Sequence, residues 1–230
     1  MTVLLDYGIG NLRSLERAFA RADVAVVRSG RIADAEVADR LVLPGVGAFG
    51  ACAAALAATG LGAVARRRAA AGVPLLGVCV GMQLLFEHSA EGDPSAGSGQ
   101  AAEGLGLLRG RVVHFGERRG ADGTRLKVPH MGWNALDAVR PHAVLAGLGD
   151  AGLGDAGLGG ARHVYFVHSY HAETADPGDV VATADYGGAV AAVVARGSVV
   201  GVQFHPEKSG PVGLALLRNW DASTVEGRQG

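Results

Sequence analysis

Cys79 stands in the stretch Pro74-Leu-Leu-Gly-Val-Cys79-Val-Gly81-Met-Gln83. An apolar run of buried-strand type leads into Gly-x-Cys-x-Gly, and helical residues follow over Met82–His88. This is the pattern of a nucleophile elbow with cysteine in place of serine. Small neighbours are needed there because the nucleophile sits on strained backbone where adjacent side chains collide. A helix start beside Cys79 favours the thiolate, the reactive form of a cysteine, and places the Val80 amide where an oxyanion would develop. The competing reading is a core cysteine at a glycine-rich strand end.

A cysteine nucleophile needs a base, and Gln203-Phe-His205-Pro-Glu207 supplies a candidate just after the apolar run Val199–Phe204. The residue before a proline is biased to extended backbone, where residues two apart face the same way. Glu207 can then accept a hydrogen bond from one ring nitrogen of His205, fixing the tautomer that turns the other nitrogen to Cys79. By itself His-Pro-Glu is a surface turn; paired with a cysteine elbow it completes a Cys–His–Glu triad. A third segment, Leu43-Pro-Gly-Val-Gly47, is another strand end running into glycines, and Gly47 is the expected second backbone donor to an oxyanion.

Other candidates carry less. Gly8-Ile-Gly10-Asn-Leu-Arg13 opens like a dinucleotide fingerprint but has Arg13 where the third glycine belongs. His163, His168 and His171 do not share one strand face, so no metal site is expected. Cys52 lies among alanines in a helical stretch and reads as a small core residue, and Arg66-Arg67-Arg68 as a solvated helix face.

The elements that must position these groups follow from periodicity. Thr2–Tyr7, Val24–Arg28, Leu41–Leu43 and Pro74–Val78 read as strands. Helices are expected between them: one on Leu12, Leu15, Phe19 and Ala22 with Asn11 as N-cap, and two over Phe49–Ala71 broken at Thr59-Gly60. Strand and helix alternating in this way imply βαβ units and a mainly parallel sheet. The second half changes to strands over Leu107–Phe115, Gly132–Leu136, His163–His168, Val180–Tyr186, Ala189–Ala195 and Val199–Phe204, with antiparallel pairing expected in part. A last helix should run from Pro211 to Trp220. The expectation is an α/β fold in one domain over residues 1–230: a mainly parallel central sheet flanked by helices, with additional antiparallel strands in the C-terminal half. Two low-complexity stretches, 91–104 and 147–160, read as loops, the first mobile; the second carries Asp-Ala-Gly-Leu-Gly twice in tandem.

Composition sets the outer limits. The 230 residues carry 21 basic and 22 acidic side chains, a net charge of −1, which offers no footprint for nucleic acid or an anionic membrane. Two cysteines make no disulfide framework, no stretch has the length of a membrane span, and Asp6 ends the first apolar run too early for a signal peptide. A cytoplasmic location is expected.

Together these segments resemble the class I (triad) glutamine amidotransferases, and within them the glutaminase subunits of imidazole glycerol phosphate synthase, of histidine biosynthesis. The elbow and His205-Pro-Glu207 carry the broad resemblance. The narrower one rests on Asp6-Tyr-Gly-Ile-Gly-Asn11, Pro44-Gly-Val-Gly-Ala-Phe-Gly50, Pro129-His-Met-Gly-Trp-Asn134, Tyr165-Phe-Val-His-Ser-Tyr170 and Gly201-Val-Gln-Phe-His-Pro-Glu-Lys-Ser209, in family order from one end of the chain to the other. The resemblance implies that Cys79 attacks the side-chain amide of glutamine, that Val80 and Gly47 hold the oxyanion, and that His205, oriented by Glu207, serves as acid and then base. It also implies that Gln83, Ser169 and Tyr170 hold glutamine, with no cofactor and no metal. Its implied partner is a cyclase subunit, a (β/α)₈ barrel that receives the ammonia, with Lys208 and Trp133 as candidate interface residues. Rival readings are the glutaminase subunit of another synthase, a free-standing cysteine hydrolase, and a non-catalytic protein that keeps the elbow.

Overall fold

The computed structural model of the chain describes residues 1–92, 101–148 and 162–226. The first half runs β1 (Thr2–Leu5), α1 (Leu12–Arg21), β2 (Val26–Ser29), α2 (Ile32–Glu36), β3 (Arg40–Leu43), α3 (Phe49–Ala58), α4 (Leu61–Ala70), β4 (Leu75–Val78) and α5 (Val80–Gln83). The second half is strand-rich: β5 (His88–Gly92), β6 (Ala101–Glu103), β7 (Gly110–His114), β8 (His130–Ala135), β9 (Asp137–Ala138), β10 (His163–His168), β11 (Tyr170–Thr174), β12 (Val180–Asp185), β13 (Ala189–Arg196) and β14 (Val199–Val202), closed by α6 (Gly210–Glu226).

Eight strands form the main sheet in the order β2-β1-β3-β4-β14-β13-β12-β9. The pairings from β2 to β14 are all parallel and those from β14 to β9 antiparallel. β1, β4 and β14 are buried along their whole length, which is why they read as continuous apolar runs rather than alternating ones. A tight turn at Arg196-Gly197-Ser198 joins β13 to β14, with Gly197 at φ +55°. Two smaller sheets lie apart from the main one: β10 with β8, and β11-β7-β5-β6. α1 buries Leu12, Leu15, Ala18 and Phe19, and Phe19 meets Trp220 of α6 edge-on at 6.3 Å between centroids, so the last helix returns to the first.

Several expectations need correction. The helix expected over Met82–His88 is one turn, Val80–Gln83, and His88 already begins β5. The reason lies in backbone bonds from Leu105, Leu107 and Leu108 to the carbonyls of Leu84 and Leu85, which draw the chain out of the helix. Asn11 takes the N-cap position of α1 but makes no side-chain cap. A further helix, α2, lies between β2 and β3, and Tyr170–Thr174 forms a strand. The stretch 91–104 is not simply a loop: its ends belong to β5 and β6, which pair antiparallel, while residues 93–100 lie outside the described residues. Most of the 147–160 repeat lies outside them too. Among the described residues no single helix is long and apolar enough to cross a membrane.

Candidate active site

β3, β4 and β14 are neighbours running the same way, so the segments after them emerge at one edge of the sheet. These are the three segments singled out in the sequence: Pro44–Gly47, Cys79–Gly81 and His205–Glu207. Cys79 has φ +55° and ψ −113°, a strained backbone for a residue with a side chain. Its N–H bonds to the Val202 carbonyl at 2.8 Å, and its own carbonyl accepts from Met82 and Gln83. A side-chain carbon built on Gly81 would lie 1.9 Å from the Leu43 carbonyl oxygen, and one on Gly77 would lie 2.6 Å from the Gly81 oxygen. The elbow therefore needs both glycines: the β3 end, the β4 end and α5 touch backbone to backbone. Because α5 is a single turn, the helix field expected at Cys79 reduces to the amides of that turn.

His205 Nδ1 lies 2.9 Å from Glu207 Oε1, with both side chains buried. The extended register expected from His205 to Glu207 is replaced beyond His205, because Pro206–Lys208 is a turn of 3₁₀ helix. The ring is held through its backbone: the His205 N–H bonds to Tyr165 O at 2.9 Å, and Ser209 Oγ donates to the His205 carbonyl at 2.6 Å. Burial works against the charged imidazolium, but hydrogen bonds to Cys79 and to Glu207, with their negative charge, outweigh it and push the His205 pKa up to about 10. The ring is thus bonded to Glu207 and feels the charge of Cys79.

Cys79, Val80 and His205 line a cavity of about 440 Å³, within the range that takes small ligands. Gly47, Gln83, Ser169 and Tyr170 also line it, so each site residue named from the sequence is at this place, with Glu207 behind His205. Lys208 is at the rim, its Nζ 5.6 Å from the centre of the Tyr165 ring, and Trp133 meets the same ring edge-on at 6.0 Å. Sequence reasoning missed Glu91, which lines the cavity and accepts the Phe49 N–H at the start of α3. Its setting in a Gly/Ser/Pro-rich stretch hid it. His168, set aside as a metal ligand, is buried against the same cavity. No group of three or more His, Cys, Asp or Glu converges on a metal site among the described residues.

The glutamine amidotransferase class-I family model matches residues 3–221. The chain belongs to this family. Among curated relatives, the imidazole glycerol phosphate synthase subunit HisH of Salinibacter ruber is 47% identical over 96% of this chain and 94% of that protein. HisH of Geobacillus kaustophilus is 46% identical over 96% and 95%. Solved structures share the fold at lower identity. A glutamine amidotransferase crystal structure superposes with a TM-score of 0.66 at 20% identity, covering 94% of this chain and 98% of that one. The structure of PurLQS from Thermotoga maritima gives 0.60 at 16%, covering 96% and 97%. The chain is accordingly a glutamine amidotransferase enzyme.

Proposed function

We propose that this amidotransferase is the glutaminase subunit of imidazole glycerol phosphate synthase, with Cys79 as nucleophile, His205 as acid–base and Glu207 as the group that orients His205. The observation that carries the chemistry is the His205 ring, hydrogen-bonded to Glu207 and sharing with Cys79 the wall of a ligand-sized cavity. The Cys79 sulfur attacks the side-chain carbonyl carbon of glutamine, and the oxygen becomes an oxyanion held by the amides of Val80 and Gly47. The C–N bond breaks as His205 gives its proton to the departing ammonia. His205 then takes a proton from water, hydroxide attacks the thioester carbon, the C–S bond breaks, and glutamate leaves with the thiol restored. Gln83, Ser169 and Tyr170 hold the glutamine, and the Glu91 carboxylate is the acidic complement to its α-ammonium.

Ammonia freed into water at neutral pH is mostly protonated and no longer nucleophilic, so a dry path to a second subunit is needed. The partner in this reading is the cyclase subunit, which makes imidazole glycerol phosphate and an aminoimidazole carboxamide ribotide. Met131 and Trp133 are 62% and 51% exposed on one face of β8, and with Lys208 they supply an apolar patch and a cation beside the cavity. One amidotransferase domain over 1–230 and action in the cytoplasm belong to the same proposal, supported by a core running from Val3 to Trp220 and by two free cysteines.

The test is glutamate release from glutamine by the purified chain, first alone, then with the cyclase subunit plus its ribonucleotide substrate. Slow release alone and strong stimulation by the partner are expected. Absence of glutamate in both cases overturns the reading. Stimulation by the partner of another synthase but not by this one moves the chain to a different pathway.

A further inference from the structure

Three side chains that the proposed chemistry does not use, His168, His130 and Asn134, form a continuous line of hydrogen bonds behind the cavity. His168 Nδ1 lies 2.8 Å from the Tyr170 carbonyl, which can only accept, so Nδ1 carries a proton. His130 Nδ1 lies 3.1 Å from His168 Nε2, and Asn134 Nδ2 lies 3.3 Å from His130 Nε2. Asn134 is itself fixed, its Nδ2 donating to Asp185 O at 2.8 Å and its Oδ1 accepting from Ala135 N at 2.8 Å. Its amide therefore faces His130 as a donor, so His130 Nε2 accepts and His130 Nδ1 donates to His168 Nε2. Every contact is satisfied when both rings are neutral with the proton on Nδ1. A proton on His130 Nε2 would face another donor.

The line continues past Tyr170. The same carbonyl accepts from Gln83 Nε2 at 2.9 Å, and Gln83 Nε2 also donates to Gln203 Oε1 at 3.0 Å. Both amide protons of Gln83 are thus used inside the protein, and its Oε1 is left as the acceptor that the cavity wall can offer.

We propose that His168 and His130 are positioning residues which, as neutral Nδ1-protonated rings, fix the Tyr170 carbonyl and through it present Gln83 to glutamine as a hydrogen-bond acceptor. The proposal rests on the glutaminase reading of this cavity. The rings sit in an apolar cage: His130 stacks on Tyr186 at 4.0 Å and on Phe166 at 4.6 Å, and Phe115 lies 5.1 Å from His168. The titratable or charged groups around the pair are His171, Arg118 bonded to His171 at 3.0 Å, Tyr186 and His205, and none supplies an anion to stabilise a charged ring. Burial accordingly holds both below the ordinary histidine range, His130 at about 4 and His168 at about 3.

Two substitutions separate this role from a merely structural one. An asparagine amide overlies the Nδ1 edge of a histidine ring and a glutamine amide overlies Nε2. His168→Asn keeps the donor to Tyr170 O and loses the bond to His130; His168→Gln does the reverse. In the complete complex supplied with ribonucleotide, His168→Gln is expected to raise KM for glutamine about tenfold, the worth of one lost buried hydrogen bond, with a smaller change in kcat. His168→Asn is expected to raise it less than about threefold by the same reasoning. A structural role predicts comparable losses, so equal KM values for the two variants overturn the proposal. Long-range proton–nitrogen spectra of histidine-labelled wild-type protein, assigned through the variants, should place both rings in the Nδ1–H form. A Nε2–H form for either ring overturns it without reference to activity. If the wild type hydrolyses no glutamine while both rings show Nδ1–H, the glutaminase reading has failed and the hydrogen-bond line stands.

Discussion

The Nδ1 of His205 and Oε1 of Glu207 are 2.9 Å apart across a single turn of 3₁₀ helix, although only one residue separates them. Pro206 starts that turn, and the His205 backbone is pinned to Tyr165 and Ser209, so the carboxylate meets the ring with little freedom left to either. Glu207→Gln keeps the shape and removes the charge. It should lower kcat/KM for glutamine by about 10²–10⁴, the range for loss of an oriented acid–base group. The synthase supplied with ammonium salt in place of glutamine should keep its rate. Loss of both rates places Glu207 in the stability of the complex rather than in glutamine chemistry.

The two cysteines should separate cleanly. Cys79→Ala abolishes glutamate release, whereas Cys52→Ala leaves it within a few-fold. Cys52 is fully buried, bonds Val46 O at 3.2 Å, and burial pushes its thiol pKa up, so a thiol-alkylating reagent should label Cys79 first. Equal loss of activity in the two variants contradicts the assignment of Cys79 as nucleophile.

Gly81→Ala tests the close approach under the elbow. An added methyl would stand 1.9 Å from the Leu43 oxygen, so the β3 end or α5 has to move. A stability loss of about 1–3 kcal/mol is expected from such overpacking, with glutaminase activity falling further as Cys79 shifts. An unchanged denaturant midpoint would show that the contact gives way at no cost.

The buried histidines set a pH dependence of stability with opposite signs. His130 and His168 refuse protons that the unfolded chain accepts below the ordinary value of 6.5. Their contribution is full above 6.5 and declines with falling pH to about 4 for His130 and about 3 for His168, by about 1.4 kcal/mol per pH unit for each ring. His205 holds a proton up to about 10, so its contribution is full below 6.5 and is lost as pH rises to about 10. The histidine part of stability should peak near 6.5, read from denaturant midpoints across pH. A midpoint that keeps rising from pH 6.5 to 10 removes the raised His205 value.

Lys208→Glu reverses the charge at the cavity rim. If the rim is the docking face, binding to the cyclase should weaken about tenfold or more, since like charges across an interface are costly. An unchanged dissociation constant takes Lys208 out of the interface.

The candidate nucleophile segment was legible because the constraints on it are local. A nucleophile on a tight turn needs small neighbours, and Gly77 and Gly81 stand on either side of Cys79. The parallel half of the sheet was equally legible, because strands covered on both faces show as unbroken apolar runs in β1, β4 and β14. What one strand pairs with is not local. Only tertiary structure set β14 beside β4, and that placement brings His205 to Cys79 from 126 residues away in the chain. The short α5 also followed from distant partners, since Leu105 and Leu107 compete for the backbone at Leu84 and Leu85. Glu91 carried no signal in the sequence, and nothing there paired His130 with His168. Their roles depend on what surrounds a side chain, and a carboxylate in a glycine-rich stretch or a histidine in a strand becomes specific only when packing removes water and leaves one set of partners.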